Sequence, residues 1–216
     1  MVSADGDPRR PGTLWVLTLD QPPPTVTPRL PAAFARVGPE AAEVLAGAMG
    51  FADPATVLQR FEAGRRCYAA RVEGTLAAYG WVSFNEEYIG ELRLRIRLAP
   101  GEAYIWDCVT MPAYRGQRLY TALLAHIGGE LWAERLCRLW IGVDTENVPS
   151  QNGVARAGFL PVADLVVARA LAMRLVWVQG RPGVPEPLVA DARRALLGDR
   201  DEVWLTALDS ATLSSP

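Results

Sequence analysis

The chain of 216 residues contains no lysine: every one of its 22 basic residues is arginine. Schiff-base chemistry, a phosphate-binding P-loop lysine and a lysine general base are therefore excluded. Histidine is nearly missing as well, with His126 alone. A zinc site would need mostly carboxylate ligands, so no metal is expected. The three cysteines, Cys67, Cys108 and Cys137, are too few and too odd in number for a disulfide framework, and none forms a C-x-x-C pair. No apolar run approaches the roughly 18 residues of a membrane span. The opening stretch MVSADGDPRRPG shows no apolar signal core. A cytoplasmic protein with no membrane contact is expected. The net charge of −2 and pI near 5.5 lack the basic footprint of a nucleic-acid binder, so no nucleic-acid partner is expected.

Half of the residues are apolar, which fits one globular unit. Residues 1–31 read as an N-terminal extension: one strand at 13–19, then a connector carrying Pro22, Pro23, Pro24, Pro28 and Pro31. Residues 32–178 read as the main domain, and 179–216 as a C-terminal extension packed on it. Strands are expected near 33–37 and at 66–72, 75–84, 90–98, 103–110, 138–144 and 203–208, with two more over 159–178. Helices are expected at 39–49, 54–64, 115–134, 150–157 and 187–197. In 90–98, Leu92, Leu94, Ile96 and Leu98 alternate with Glu91, Arg93, Arg95 and Arg97, the pattern of a half-buried strand. The almost unbroken apolar run at 103–110 fits a strand covered on both faces. With the helix at 115–134 and the strand at 138–144 it forms a βαβ unit of parallel strands. The earlier strands look like hairpins, so the sheet is mixed. The terminal strands at 13–19 and 203–208 share a pattern; they extend the sheet, pair with each other, or mediate dimerisation.

Chemistry concentrates between Thr110 and Tyr120, where a buried strand meets the N-terminus of a long helix. Unpaired N–H groups and the positive end of the helix dipole suit a pyrophosphate there. No Walker or G-x-G-x-x-G motif is present. Pro112, Tyr114, Arg115 and Gly116 match the pyrophosphate loop of the GNAT superfamily, which this chain resembles, in the subset with R-G-x-x-L-Y. Asn147, Ser150 and Gly158-Phe159 match that superfamily's second motif, N-x-x-[A/S]-x7-G-F. The resemblance implies an α/β fold: a mixed, mostly antiparallel sheet with a central βαβ unit and flanking helices. It implies acetyl-CoA as co-substrate and direct acetyl transfer to a primary amine of a small molecule or peptide; a monomer or homodimer is expected, the terminal strands being the place for a dimer contact. Cys108, Val109 and Thr110 would pair with the pantetheine arm through their backbone. Arg115, Gly116, Gln117, Arg118, Leu119, Tyr120 and Thr121 would hold the pyrophosphate, and Asn147 the pantetheine region.

The chain departs from the family at four positions. Arg118 and Tyr120 stand at glycine-type positions of the loop. Val154 stands where many members have a tyrosine acid, and Gly142 where some have a glutamate base. Two other readings follow: a catalytically degenerate acyl-CoA-binding module, or a transferase of longer acyl chains. Asp107 is the best substitute base, since a carboxylate in an apolar strand suits that role; its bland reading is an ion pair with an arginine on the neighbouring strand. Tyr120 is the candidate acid, or simply a packed aromatic. Glu102 and Tyr104 are weaker candidates on the strand's opposite face. Asn85-Glu86-Glu87-Tyr88 either recognises a cationic amine or forms a polar turn. The Arg93/Arg95/Arg97 stripe meets an anionic acceptor or is a solvated face. Trp81 and Trp106 line the acceptor pocket or are core. Cys108 reads as a small core residue, and His126 as partly buried or surface. With no lysine, the phosphates fall to backbone N–H groups and to Arg115 and Arg118, whose charge does not titrate away at physiological pH.

Overall fold

A computed structural model describes residues 9–90, 93–170, 173–200 and 202–206. Among them lie eleven strands and five α-helices. The strands are β1 (Arg9–Thr18), β2 (Ala33–Val37), β3 (Arg66–Val72), β4 (Thr75–Ser83), β5 (Glu86–Ile89), β6 (Leu94–Arg97), β7 (Glu102–Thr110), β8 (Arg138–Asp144), β9 (Leu160–Ala170), β10 (Met173–Gly180) and β11 (Glu202–Thr206). The helices are α1 (Ala42–Met49), α2 (Ala55–Glu62), α3 (Leu119–Ala133), α4 (Val148–Arg156) and α5 (Glu186–Leu197). Nine strands form one sheet in the order β11-β10-β9-β1-β8-β7-β4-β3-β2. Only β7 and β8 are parallel, joined through α3 as the βαβ pattern requires.

Alternation along the strands divides the core. From β1, Trp15 and Leu17 point to one face with Ile105, Leu123, Leu124, Ile127 and Phe159; this core holds α3 and α4. Leu14 and Val16 point to the other, with Ile96, Trp140 and the α5 residues Val189 and Leu196. A third cluster on that second face packs α1 and α2 over Cys67, Ala69, Tyr79 and Trp81. The second face thus has two covers, α1 with α2 on one side and α5 with the β5–β6 hairpin on the other. A cleft of about 800 Å³ lies between them.

Three expectations are corrected and one set of alternatives is narrowed. Of the alternatives for the two terminal strands, pairing with each other does not occur: β1 is inserted between β8 and β9, antiparallel to both, whereas β11 lies at the sheet's end on β10. Residues 207–208 of the last expected strand lie outside the described residues. The expected strand at 90–98 is only β6, paired with β5 in a separate two-stranded sheet; Glu91 and Leu92 lie outside the described residues. Its alternation survives, with Leu94 and Ile96 buried. Helix α3 begins at Leu119 rather than 115, because Gly116 and Arg118 take left-handed backbone (φ 77° and 61°). Helix α4 begins at Val148 rather than 150: Asn147 Oδ1 accepts the Ser150 N–H at 3.1 Å as its N-cap, and a proline follows in the first turn.

Candidate active site

Strands β7 and β8 pair only from Glu102–Arg138 to Ile105–Ile141. Beyond that they part, although β7 continues to Thr110 and β8 to Asp144. The facing edges, Trp106–Thr110 and Gly142–Asp144, are left without a strand partner, while their other edges pair with β4 and β1. Unpaired backbone donors and acceptors at such a wedge suit an extended amide-bearing chain laid in as an added strand.

At the mouth of the wedge β7 carries a bulge. Tyr79 faces Val109 and Trp81 faces Trp106, so Asp107 and Cys108 together oppose Gly80. Asp107 has φ 43°, in the left-handed region that aspartate tolerates better than most residues. The bulge decides which way the carboxylate points. Ala103 and Ile105 face α3, and strict alternation would send Asp107 into that apolar core. The extra residue instead turns Asp107 into the cleft, beside Tyr104 and Trp106, and sends Cys108 toward α3. This corrects the expectation that Tyr104 lies on the face opposite Asp107. Gly80 makes room for the bulge, since a Cβ there would lie 2.8 Å from Cys108 Sγ.

Asp107 Oδ2 accepts from Arg60 Nη1 of α2 at 2.5 Å. The partner is thus an arginine from a helix, not from the neighbouring strand. The Arg60 guanidinium lies over the rings of Trp106 (4.7 Å), Trp81 (5.2 Å) and Phe51 (5.9 Å). Trp106 lines the cleft and its Nε1 donates to Ser83, while Trp81 is wholly buried beneath it. Burial, with the Asp107 charge as a second cause, pushes the Cys108 thiol far up, so it stays protonated.

The segment after β7 forms a short 3-10 turn at Pro112–Tyr114, then Arg115, whose Nε donates to Thr110 O at 3.4 Å. Gly116 is left-handed with open space beside it. Arg118, at a glycine-type position, keeps the positive φ that glycine would supply. It precedes α3 without a side-chain cap, so the N–H groups of Leu119, Tyr120 and Thr121 have no intrahelical acceptor. The back of the loop is held by the proline-rich connector: Arg29 N–H donates to Gln117 O at 2.9 Å, and Arg29 Nη1 to Gly116 O at 3.1 Å. A strand edge, an open left-handed glycine, an uncapped helix start and two arginines, Arg115 and Arg118, make a donor set that fits a pantetheine–pyrophosphate ligand.

Tyr120 turns from this helix start toward α4. A Cβ on Gly153 would lie 2.7 Å from Tyr120 Cδ1, so the ring occupies the space a side chain there would need. Burial first, then the neighbouring Cys108 and Tyr104, raises the Tyr120 hydroxyl well above the ordinary tyrosine value. Tyr104 fills the place of another missing side chain: its Oη would lie 3.0 Å from a Cβ on Gly142.

The model of the acetyltransferase (GNAT) family matches residues 40–159, more than half of the chain. The chain belongs to the GNAT acetyltransferase family. Among solved structures, a GNAT acetyltransferase from Colwellia psychrerythraea aligns with a TM-score of 0.53 at 15% identity, over 82% of this chain and 59% of that one. A Drosophila protein aligns with a TM-score of 0.50 at 18% identity, over 82% of this chain and 52% of that one. A putative GNAT acetyltransferase from Novosphingobium aromaticivorans gives 0.47 at 23% identity, over 74% of this chain and 65% of that one. At these identities the likeness to the first two is one of fold alone, and the chain spans between half and two thirds of the length of these proteins. No curated protein matches the chain significantly.

Within this GNAT domain, several alternatives that the residue pattern left open close once the contacts are known. Glu87 is buried and bound by Arg65 (2.6 and 2.9 Å) and Ser83 (2.6 Å), and Glu86 pairs with Arg95 (2.8 Å). The Asn85–Tyr88 carboxylates therefore fasten a hairpin and are not free for an amine. Glu102 is tied to Arg138 at 2.9 Å. His126 faces Phe34 and Tyr68 (ring centroids 5.7 and 6.2 Å) and is not among the residues lining the cleft. Val154 is fully buried in the α3–α4 core. Sequence reasoning missed Arg60, Arg29 and Asp144. Only the bulge left a signal: Gly80, a glycine inside an otherwise apolar strand, marks such a site. Among the described residues no metal-binding cluster occurs, and no helix is long and apolar enough to cross a membrane.

Proposed function

We propose that this GNAT domain transfers an acetyl group from acetyl-CoA to a primary amine by direct attack, without an acyl-enzyme. The parting of β7 and β8 carries this reading, because it joins the loop on the α3 side to the cleft on the other side. Arg115, Arg118 and the backbone of Gly116–Thr121 hold the pyrophosphate. The free edge at Cys108, Val109 and Thr110 takes the pantetheine amides, with Asn147 at the facing end of α4. Bound acetyl-CoA supplies the activated acyl group. Backbone N–H at the parted edge polarises its carbonyl. Asp107, turned into the cleft by the bulge, takes the proton from the amine. Tyr120 holds its proton at neutral pH and returns one to the departing sulfur. As the N–C bond forms and the C–S bond breaks, the two residues together balance the proton count. The raised Cys108 thiol supports direct transfer, since the neutral thiol is a poor nucleophile. In the domain organisation proposed, residues 32–178 supply the loop and the parted strands, while the extensions at 1–31 and 179–216 add Gly12–Leu14 and Leu196 to the cleft wall and Arg29 to the back of the loop.

Calorimetry with acetyl-CoA and CoA, followed by thiol release over an amine panel, tests this. Binding with amine-dependent thiol release supports it. Absence of CoA binding overturns it, and binding without release from any amine favours the non-catalytic reading, which the residues Gly142 and Val154 motivate. Asp107→Asn leaving turnover intact would remove the base assignment.

A further inference from the structure

The cleft on the far side of the wedge is large enough for a whole small molecule, and its charges are few. At about 800 Å³ it lies in the range of small-molecule sites. Among the described residues its charged lining consists of Arg60, Asp107 and Asp144. Arg60 and Asp107 neutralise one another, and Arg60 is further stacked on aromatic rings. Asp144 ends β8, across the wedge from Asp107. Among the described contacts its Oδ1 accepts only the Glu146 N–H at 2.7 Å, and no arginine pairs with it. The rest of the wall is largely apolar and rich in rings: Phe51, Tyr79, Tyr88 and Trp106 all face the cleft.

From this we infer that the acceptor is a small monoamine on an apolar, ring-bearing body, and that Asp144 binds its ammonium group. The inference rests on the acetyl-transfer reading and deepens it. A polycation would meet one unpaired carboxylate where it needs several, and its other ammonium groups would be desolvated against the aromatic walls without partners. A single ammonium between β7 and β8 is flanked by Asp144 on one strand and by Asp107, which takes the proton, on the other. The apolar body then stacks on the ring-lined wall. Gly142, two residues before Asp144 on the same edge, lets the Tyr104 ring lie against β8, so that ring joins the wall beside the ammonium.

Steady-state rates at saturating acetyl-CoA are compared for 2-phenylethylamine, tryptamine, spermidine, a polycationic aminoglycoside and a lysine-containing peptide. The arylalkylamines are expected to show kcat/KM at least about ten-fold above the others. Asp144→Asn is expected to raise the arylalkylamine KM about ten-fold or more, with the acetyl-CoA Kd and Tm unchanged. Preference for spermidine, the aminoglycoside or the peptide overturns the inference, as does an unaltered KM in Asp144→Asn. Calorimetry of 2-phenylethylamine on the CoA-loaded protein decides the matter even without turnover. Binding that Asp144→Asn weakens upholds the acceptor class while the transfer reading fails; no binding, or binding indifferent to Asp144, overturns it.

Discussion

Arg60 and Asp107 meet at 2.5 Å across the cleft floor, one from α2 and the other from a bulge in β7. Their side chains are 17% and 27% exposed, so the pair is only partly desolvated. The contact ties the α1–α2 cover to the strand that carries the candidate base. Arg60→Met removes a cation stacked on aromatic rings and leaves a carboxylate without its partner. A loss of about 2 kcal/mol is expected, read from urea unfolding of the variant and the parent protein.

Gly80 and Cys108 test whether the bulge is needed. Gly80→Ala places a Cβ 2.8 Å from Cys108 Sγ, with Ile127 Cδ1 at 3.7 Å on another side. Overpacking of this kind costs about 1–3 kcal/mol. Turnover should fall with it, because Asp107 depends on the bulge for its direction. In the double variant with Cys108→Ala most of the loss should return, and a double-mutant cycle of unfolding free energies measures the coupling. Strict additivity would mean that the two positions do not press on each other.

Arg118 occupies left-handed backbone at the start of α3. A non-glycine residue there carries a penalty of about 1 kcal/mol. Arg118→Gly relieves it, less the entropy that glycine adds to the unfolded chain. The variant should therefore be equally stable or slightly more stable in thermal unfolding. It should also bind acetyl-CoA more weakly and with a shallower salt dependence, since one phosphate-facing charge is gone. Calorimetry at two ionic strengths checks both outcomes.

His126 gives the fold a pH dependence unconnected with catalysis. Burial lowers its pKa below the ordinary histidine value, the Glu130 charge opposing this in part. The folded state thus prefers the neutral ring, whose Nε2 is buried without a hydrogen-bond partner among the described residues. Between the lowered folded value and the unfolded value of about 6.5, the unfolded chain binds more protons. This contribution is complete above the unfolded value and is lost as pH falls below it toward the folded one. Tm measured from pH 7.5 down to 5 should decline less steeply in His126→Leu than in the parent.

Much of the sheet was readable from apolar patterning, because a strand buried on one face must alternate and one buried on both must run almost unbroken. The parallel pairing of β7 with β8 followed from the helix between them, and the loop and Asn147 motifs fall at the start of α3 and of α4, beside the parted strands. What escaped were features decided by contacts between residues far apart in sequence. Nothing local in Leu14–Leu17 says that β1 inserts between β8 and β9. The Glu86–Tyr88 strand reads as a polar turn because its buried Glu87 becomes tolerable only when Arg65 and Ser83 reach it. The bulge at Asp107 reverses the face expected from strict alternation, and that single residue separates a core carboxylate from a cleft carboxylate. Arg118 shows that the loop's geometry outlasts its usual glycine.

The central claim is that the parted strands hold an acyl-CoA whose acyl group meets an amine at Asp107. The most direct measurement is titration of the protein with acetyl-CoA in a calorimeter, with the acetyl-CoA-loaded protein then assayed for amine-dependent thiol release. Micromolar binding, followed by release that Asp107→Asn suppresses while affinity is retained, is the predicted result. No heat from acetyl-CoA or CoA at any practical concentration would contradict the account.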